Sequence, residues 1–263
     1  MKVRAKKSLG QNFLIDQNII KKITELIDIK NKNVLEIGPG TGNLTSSILE
    51  KNPKKLYVVE KDNFLAKDLQ KKFKDKIVLS NNDILKINEN LICKDKLIVF
   101  GNLPYNISTE ILCKWILNLN NNSFWFSNLI LMFQKEVAER IISKFDTSSY
   151  GRLSVLANWK LDIEKIYDIK PNCFFPIPKV DSSLLIFQPK KKFTKINNPK
   201  NLEKITRIFF NHRRKMIKRP YNEIFNGNIE ISKKLNINLN LRPQNLEHDT
   251  YYKLTQEYEK LIG

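Results

Sequence analysis

The order of apolar runs along this chain leaves few folds open to it. Asn33-Val34-Leu35-Glu36-Ile37 predicts a strand, residues 38–42 a glycine-rich turn, and Leu44 to Leu49 a helix. The next strand is expected at Leu56 to Glu60, after which Leu65, Leu69 and Phe73 recur at the spacing of an amphipathic helix. Lys76 to Ser80, Lys96 to Phe100 and Leu129 to Phe133 predict three further strands. Short apolar strands separated by helices imply a parallel sheet covered on both faces. The expected class is α/β, with a Rossmann-like, doubly wound sheet. Such sheets bind ligands beyond the carboxyl ends of their strands.

Beyond Gln188 the texture changes. Pro189-Lys190-Lys191-Lys192 predicts a linker, and the remainder of the chain is helical in pattern: Leu202 to Met216, short segments around Ile224 and Ile231, then Asp249 to Ile262. Tyr251, Leu254, Tyr258 and Leu261 fall on one stripe of the last helix, the pattern of a small packed domain. Two domains are therefore expected, residues 1–188 and residues 189–263, the second all-helical.

Charge narrows the choice of partner. The 263 residues carry 46 Lys+Arg against 27 Asp+Glu, a formal +19, which points to a polyanion such as nucleic acid. Asparagine tracts such as residues 118–122 mark a composition biased toward A/T-rich codons, so a generic basic surface is the alternative. Cys93, Cys113 and Cys173 form no C-x-x-C pair, and His212 and His248 are isolated. A disulfide framework, a zinc site and a His-based triad are thus not expected, and the histidines read as surface or capping residues. No apolar stretch reaches spanning length, and candidate site residues begin at Asn12, leaving no room for a removable leader after the lysine-rich start. A cytoplasmic monomer without metal or membrane contact is the expectation.

The distinctive polar residues come directly after the strands. Gly38-Pro39-Gly40-Thr41-Gly42 succeeds the first, where glycines let backbone approach a ligand closely; it is G-x-G-x-G, not the G-x-G-x-x-G of dinucleotide sites. Glu60 ends the second, where an acid can accept both hydroxyls of a ribose, and Asp83 comes after the third, where a carboxylate can accept from the exocyclic amine of adenine. Each acid alone reads equally as a solvated strand-end carboxylate. The ordered set points to adenosine without a pyrophosphate cradle. Gly101-Asn102-Leu103-Pro104-Tyr105-Asn106 then joins the fourth strand to a helix beginning at Ser108 or Thr109, an unusual choice of residues for turning a chain.

The pattern resembles the class I S-adenosylmethionine-dependent methyltransferases, and six motifs in order sharpen the likeness. Gly10 to Asp16, Glu36 to Gly42, Gly101 to Thr109, Phe133 to Ala138, Tyr150 to Val155 and Phe175 to Ser182 are together similar to the ribosomal RNA adenine N6,N6-dimethyltransferases, specifically the branch acting on small-subunit rRNA. The resemblance runs from about residue 8 to the end and is weaker after Gln188. It implies S-adenosyl-L-methionine as cofactor, with Asn12 and Leu14 in a segment closing over it. Gly38 would lie under its methionine part, Glu60 would take the ribose, Asp83 the adenine, and Asn102 would face both cofactor and target base. Arg213-Arg214-Lys215 is similar to the family's basic, rRNA-contacting segment, an ordinary charged helix face being the alternative.

The turn then acquires a purpose. An adenine amino nitrogen is a poor nucleophile because its lone pair is delocalised into the ring, and acceptors aimed at its protons localise that pair. Asn102 offers a side-chain oxygen, the backbone around Leu103-Pro104 a second acceptor, and Pro104 stiffens the turn. Tyr105 supplies a flat face for the base, with Phe174 the candidate for the opposite face. The resemblance implies as substrate two adjacent adenines in the 3′-terminal hairpin loop of small-subunit rRNA. The alternatives are a large-subunit rRNA methyltransferase of the antibiotic-resistance type and a non-catalytic assembly factor or organellar transcription factor. Leu103 before the proline favours the first reading, and retention of Gly38, Glu60, Asp83 and Asn102 together speaks for catalysis.

Overall fold

The computed structural model describes residues 5–119 and 123–263; Lys2 and Arg4 of the basic start and residues 120–122 of the asparagine tract lie outside them. The chain forms two compact units. The first comprises residues up to Ile111, Phe124–Ala138 and Ile163–Pro189, and the second Leu112–Ser123, Glu139–Asp162 and Lys190–Gly263. The expectation placed a single division at residue 188, whereas these units interleave along the chain, two segments from before that point belonging to the second.

In chain order the elements are β1 (Phe13–Leu14), α1 (Gln17–Glu25), β2 (Asn33–Ile37), α2 (Asn43–Glu50), β3 (Lys55–Val59), α3 (Asn63–Phe73), β4 (Val78–Ser80), β5 (Leu97–Asn102) and α4 (Ser108–Asn118). Next come β6 (Phe126–Gln134), α5 (Lys135–Ile142), α6 (Arg152–Lys160), β7 (Leu161–Ile169), β8 (Phe174–Phe175) and β9 (Ser182–Pro189). The last four helices are α7 (Pro199–Asn211), α8 (Lys218–Phe225), α9 (Ile229–Lys234) and α10 (His248–Ile262).

The main sheet has seven strands in the order β4-β3-β2-β5-β6-β9-β7. Strands β2 to β6 pair in parallel, as their uninterrupted apolar character requires; all five residues of β2 are buried. The chain winds outward from β2 through β3 to β4, then crosses to the other flank of β2 with β5. That reversal opens a crevice at the carboxyl ends of β2 and β5, where Ile37 lies opposite Gly101. The expected all-parallel sheet is extended by β7 and β9, and β9 runs antiparallel to β6.

A second, two-stranded sheet pairs β1 with β8, Phe13 opposite Phe175 and Leu14 opposite Phe174. It ties the N-terminal segment to the segment after β7. Asp16 caps α1 by accepting from the N–H groups of Asn18 and Ile19, and Asp62 caps α3 through Phe64 N–H.

In the second unit, α7 ends at Asn211 instead of Met216, so Arg213-Arg214-Lys215 lies in the turn beyond it. The stripe of α10 is buried at Tyr251 and Leu254, but Leu261 is 53% exposed because the last turn runs off the core. Lys190 belongs to no solvated linker: its Nζ donates to the Asn158 carbonyl at 2.6 Å and its N–H to that of Lys160 at 2.9 Å. Lys160 is fully buried, donates to the Leu119 carbonyl at 2.6 Å and lies 4.0 Å from the Trp159 ring centroid; burial pulls its pKa down to about 8. His212 is exposed and caps the carboxyl end of α7, whereas His248 is half-buried against Tyr150, and burial lowers its pKa to about 4. The surface reading holds for the first histidine and fails for the second.

Candidate active site

A cleft of about 850 Å³, its open mouth included, lies at the switch point and is lined by residues 8–13, by Ile37, Gly38 and Gly40, and by Val59, Glu60 and Lys61, with Asn82–Ile84 and Asn102–Ile107 completing it. Of the sequence-predicted residues, Asn12, Gly38, Glu60, Asp83, Asn102, Leu103, Pro104 and Tyr105 all line it.

The glycine turn forms the floor. Gly38 and Gly40 have φ of 65° and 59°, and a Cβ on Gly40 would stand 2.5 Å from the Phe13 ring. Any larger residue there would be strained and would also displace the wall. Beneath the turn, Glu36 is 1% exposed and accepts from Thr45 Oγ1 at 2.6 Å. Burial raises its pKa to about 8, so the floor holds a neutral acid at pH 7.

Glu60 is 6% exposed, and its carboxylate is already fixed: Oε2 accepts from Gly40 N–H at 3.2 Å and Oε1 from Asp62 N–H at 2.8 Å. Burial pushes its pKa up, and the backbone N–H groups oppose that shift. Its remaining lone pairs can serve a diol. Asp83 pairs with Lys61 at 2.8 Å while its Oδ1 accepts from Leu85 N–H at 3.0 Å. The hydrogen bond from Lys61 holds the Asp83 carboxyl below its usual range, ready to accept from an amine.

The N-terminal segment forms the remaining wall, through groups that sequence reasoning missed. Asp62, 4% exposed, pairs with Lys6 at 2.9 Å and accepts from Gln11 Nε2 at 3.3 Å, while Gln11 Oε1 accepts from Lys6 N–H at 2.7 Å. Acid followed by Asn-Phe-Leu is an N-cap pattern, and it was the available signal for Asp62.

Asn102 is the last residue of β5, so its position is set by sheet pairing with Met132 as well as by the turn. Its Nδ2 donates to the Asn12 carbonyl at 2.7 Å, which orients the amide and leaves Oδ1 as the acceptor. The Pro104 carbonyl accepts from Ile107 N–H at 3.1 Å and closes the turn. Leu103 buries its side chain, 1% exposed, and can contribute only backbone to the cleft. Tyr105 is half-buried, with its hydroxyl 2.5 Å from Ser182 Oγ.

Five predicted residues, Leu14, Phe174, Arg213, Arg214 and Lys215, stand elsewhere. Leu14 is 5% exposed within the apolar core, and its carbonyl accepts from Asn43 Nδ2 at 2.9 Å. Phe174 is 1% exposed in the same core, opposite Leu14, and has no face to offer a base. Phe175 is 54% exposed and pairs with Phe13, whose side chain lines the cleft. Arg213 donates to the Ser148 carbonyl and, at 3.2 Å, to that of Thr147, so its guanidinium staples the turn after α7, while Arg214 and Lys215 are exposed.

A doubly wound sheet extended by antiparallel β9, with an acid after β3 and an Asn-x-Pro-Tyr turn after β5, defines a class I methyltransferase. The chain belongs to the ribosomal RNA adenine dimethylase family, whose sequence profile matches residues 2–260. It is 64% identical over 263 residues, the whole of both chains, to the ribosomal RNA small subunit methyltransferase A of Pelagibacter ubique (strain HTCC1062). The protein of that name from Wolbachia sp. subsp. Drosophila simulans (strain wRi) is 40% identical, covering 99% of this chain and 96% of the relative. A dimethyladenosine transferase structure from Plasmodium falciparum matches with a TM-score of 0.80 at 26% identity, over 94% of this chain and 98% of that one. The 23S rRNA methyltransferase ErmE shares the fold, with a TM-score of 0.68 at 21% identity over 94% and 100% of the two chains.

Proposed function

We propose that the chain dimethylates N6 of two adjacent adenines in the 3′-terminal hairpin loop of small-subunit rRNA, using S-adenosyl-L-methionine. The observation that carries this reading is the Asn102 amide, which lines the cleft with Glu60 and Asp83 and whose Nδ2 is held by the Asn12 carbonyl, leaving Oδ1 as the acceptor. The cleft suits the cofactor: Glu60 would accept from the ribose hydroxyls, Asp83 from the adenine amine, and the positive-φ turn at Gly38 and Gly40 would admit the methionine part close to backbone. When bound, S-adenosylmethionine supplies an electrophilic methyl on a positively charged sulfur.

The protein's own contribution is orientation. Asn102 Oδ1 accepts from one amine hydrogen of the target and the Leu103 carbonyl is the better placed second acceptor, since that of Pro104 is engaged by Ile107. These acceptors are fixed before the substrate arrives and need no reorganisation during transfer. Tyr105 stacks on one face of the base, and exposure together with its pairing to Phe13 favours Phe175 over Phe174 for the other. Methylation makes the amine acidic, so its proton can pass to solvent.

The test is transfer of labelled methyl groups to unmodified small and large ribosomal subunits presented together. Label in small-subunit rRNA is expected. Label confined to large-subunit rRNA would replace this reading with the other rRNA methyltransferase class.

A further inference from the structure

Tyr105 meets the rest of the molecule at its hydroxyl, 2.5 Å from Ser182 Oγ. Ser182 is fully buried at the start of β9, opposite Gln134 of β6. The residues on either side of it are tied down. The Asp181 carbonyl accepts from Lys135 N–H at 2.9 Å and its carboxylate pairs with Lys170 at 2.8 Å. Ser183 Oγ donates to Asp168 at 2.6 Å, and Asp168 is itself paired with Lys135 at 3.0 Å and Lys165 at 2.6 Å.

The Ser182 hydroxyl is therefore presented from a clamped strand end, whereas Tyr105 stands in a turn with two side-chain torsions to fix. We propose that Ser182 is a positioning residue for methyl transfer: its hydroxyl sets the tilt of the Tyr105 ring, and with it the plane in which a stacked base presents its amine. The proposal rests on the stacking role of Tyr105. It also gives a role to two motifs whose residues Gln134, Lys135, Asp181 and Ser182 do not line the cleft. Small angular errors at a reacting centre are costly in rate while leaving affinity nearly intact.

Single-turnover methyl transfer to unmethylated small subunits, at saturating S-adenosylmethionine, tests this with Ser182→Ala, Tyr105→Phe and the double variant. Each single variant loses the same bond and should be slower by about fivefold, with subunit affinity changed by less than about twofold. The double variant should be no slower than the slower single, because there is only one bond to lose. Parental rates for Ser182→Ala, or a double variant slowed by the product of the singles, would overturn the proposal. If Ser182→Ala does not fold, Tyr105→Phe reads the same bond from the cleft side, and a parental rate there overturns it as well. Tyr105→Ala in the same series separates the two levels. Parental activity in Tyr105→Ala would remove the stacking role itself, whereas a slow Tyr105→Ala beside an unaffected Ser182→Ala would remove only the positioning role.

Discussion

Glu60 holds two backbone N–H groups in a nearly closed site, so the carboxylate that would meet a ribose is oriented before any ligand arrives. Glu60→Gln keeps the shape but must turn an NH₂ toward one of those N–H groups or toward the diol. Each charge-assisted bond lost is worth roughly 1.5–3 kcal/mol. Calorimetric titration with S-adenosylmethionine should show affinity weakened by at least one such bond, with small-subunit binding unchanged; parental cofactor affinity would rule Glu60 out as the ribose acceptor. At this scale the sequence was informative where a residue stands at or shortly beyond the carboxyl end of a strand, as Glu60, Asp83 and Asn102 do, all three lining the cleft. It failed at Phe174 and Phe175. Which of two adjacent residues faces the core depends on pairing with Phe13 and Leu14 about 160 residues earlier, and a two-residue strand carries no alternation to reveal it.

Strand β2 places Glu36 under the glycine turn, and the consequence is a pH dependence of stability. Below its ordinary pKa of 4.5 the group is protonated in both folded and unfolded chains. Between there and its folded pKa of about 8 only the unfolded chain is ionised, so stability falls as pH rises, and above about pH 8 the penalty is complete. Glu36→Gln can keep the Thr45 bond without that ionisation. Urea unfolding from pH 5 to 9 should show the parent losing on the order of 4 kcal/mol relative to the variant; parallel curves would contradict a neutral Glu36. The elements legible in the sequence were those with strong apolar periodicity, β2, β3 and β5 among them. Strand β7 escaped notice because most of it is half-buried, with Asp162 and Glu164 exposed, so its pattern is mixed. Strand β4 shortened to three residues because Lys74–Lys76 forms a turn of 3₁₀ helix.

Across the whole molecule, the cleft residues all belong to the first unit, while the segment from Lys190 to Arg219, in the second, carries a single acid, Glu203. Phosphate contacts position an RNA without reading its bases, so this segment should govern affinity and its salt dependence. Because Arg213 is committed to the 147–148 carbonyls, Arg214→Ala with Lys215→Ala should weaken subunit binding and flatten its salt slope, whereas Arg213→Ala should chiefly lower the melting temperature. Salt-series binding beside thermal unfolding checks that division, and a larger salt effect from Arg213 than from its neighbours would reverse it. The central claim is that the Asn102 turn performs the methyl transfer, and single-turnover transfer to unmethylated small subunits by the parent and Asn102→Ala, at saturating cofactor and RNA, tests it most directly. Loss of one preorganised partner costs about 3–4 kcal/mol, so the variant should be slower by two to three decades while binding subunits nearly as well. Equal rates for the two proteins would contradict a catalytic role for this turn.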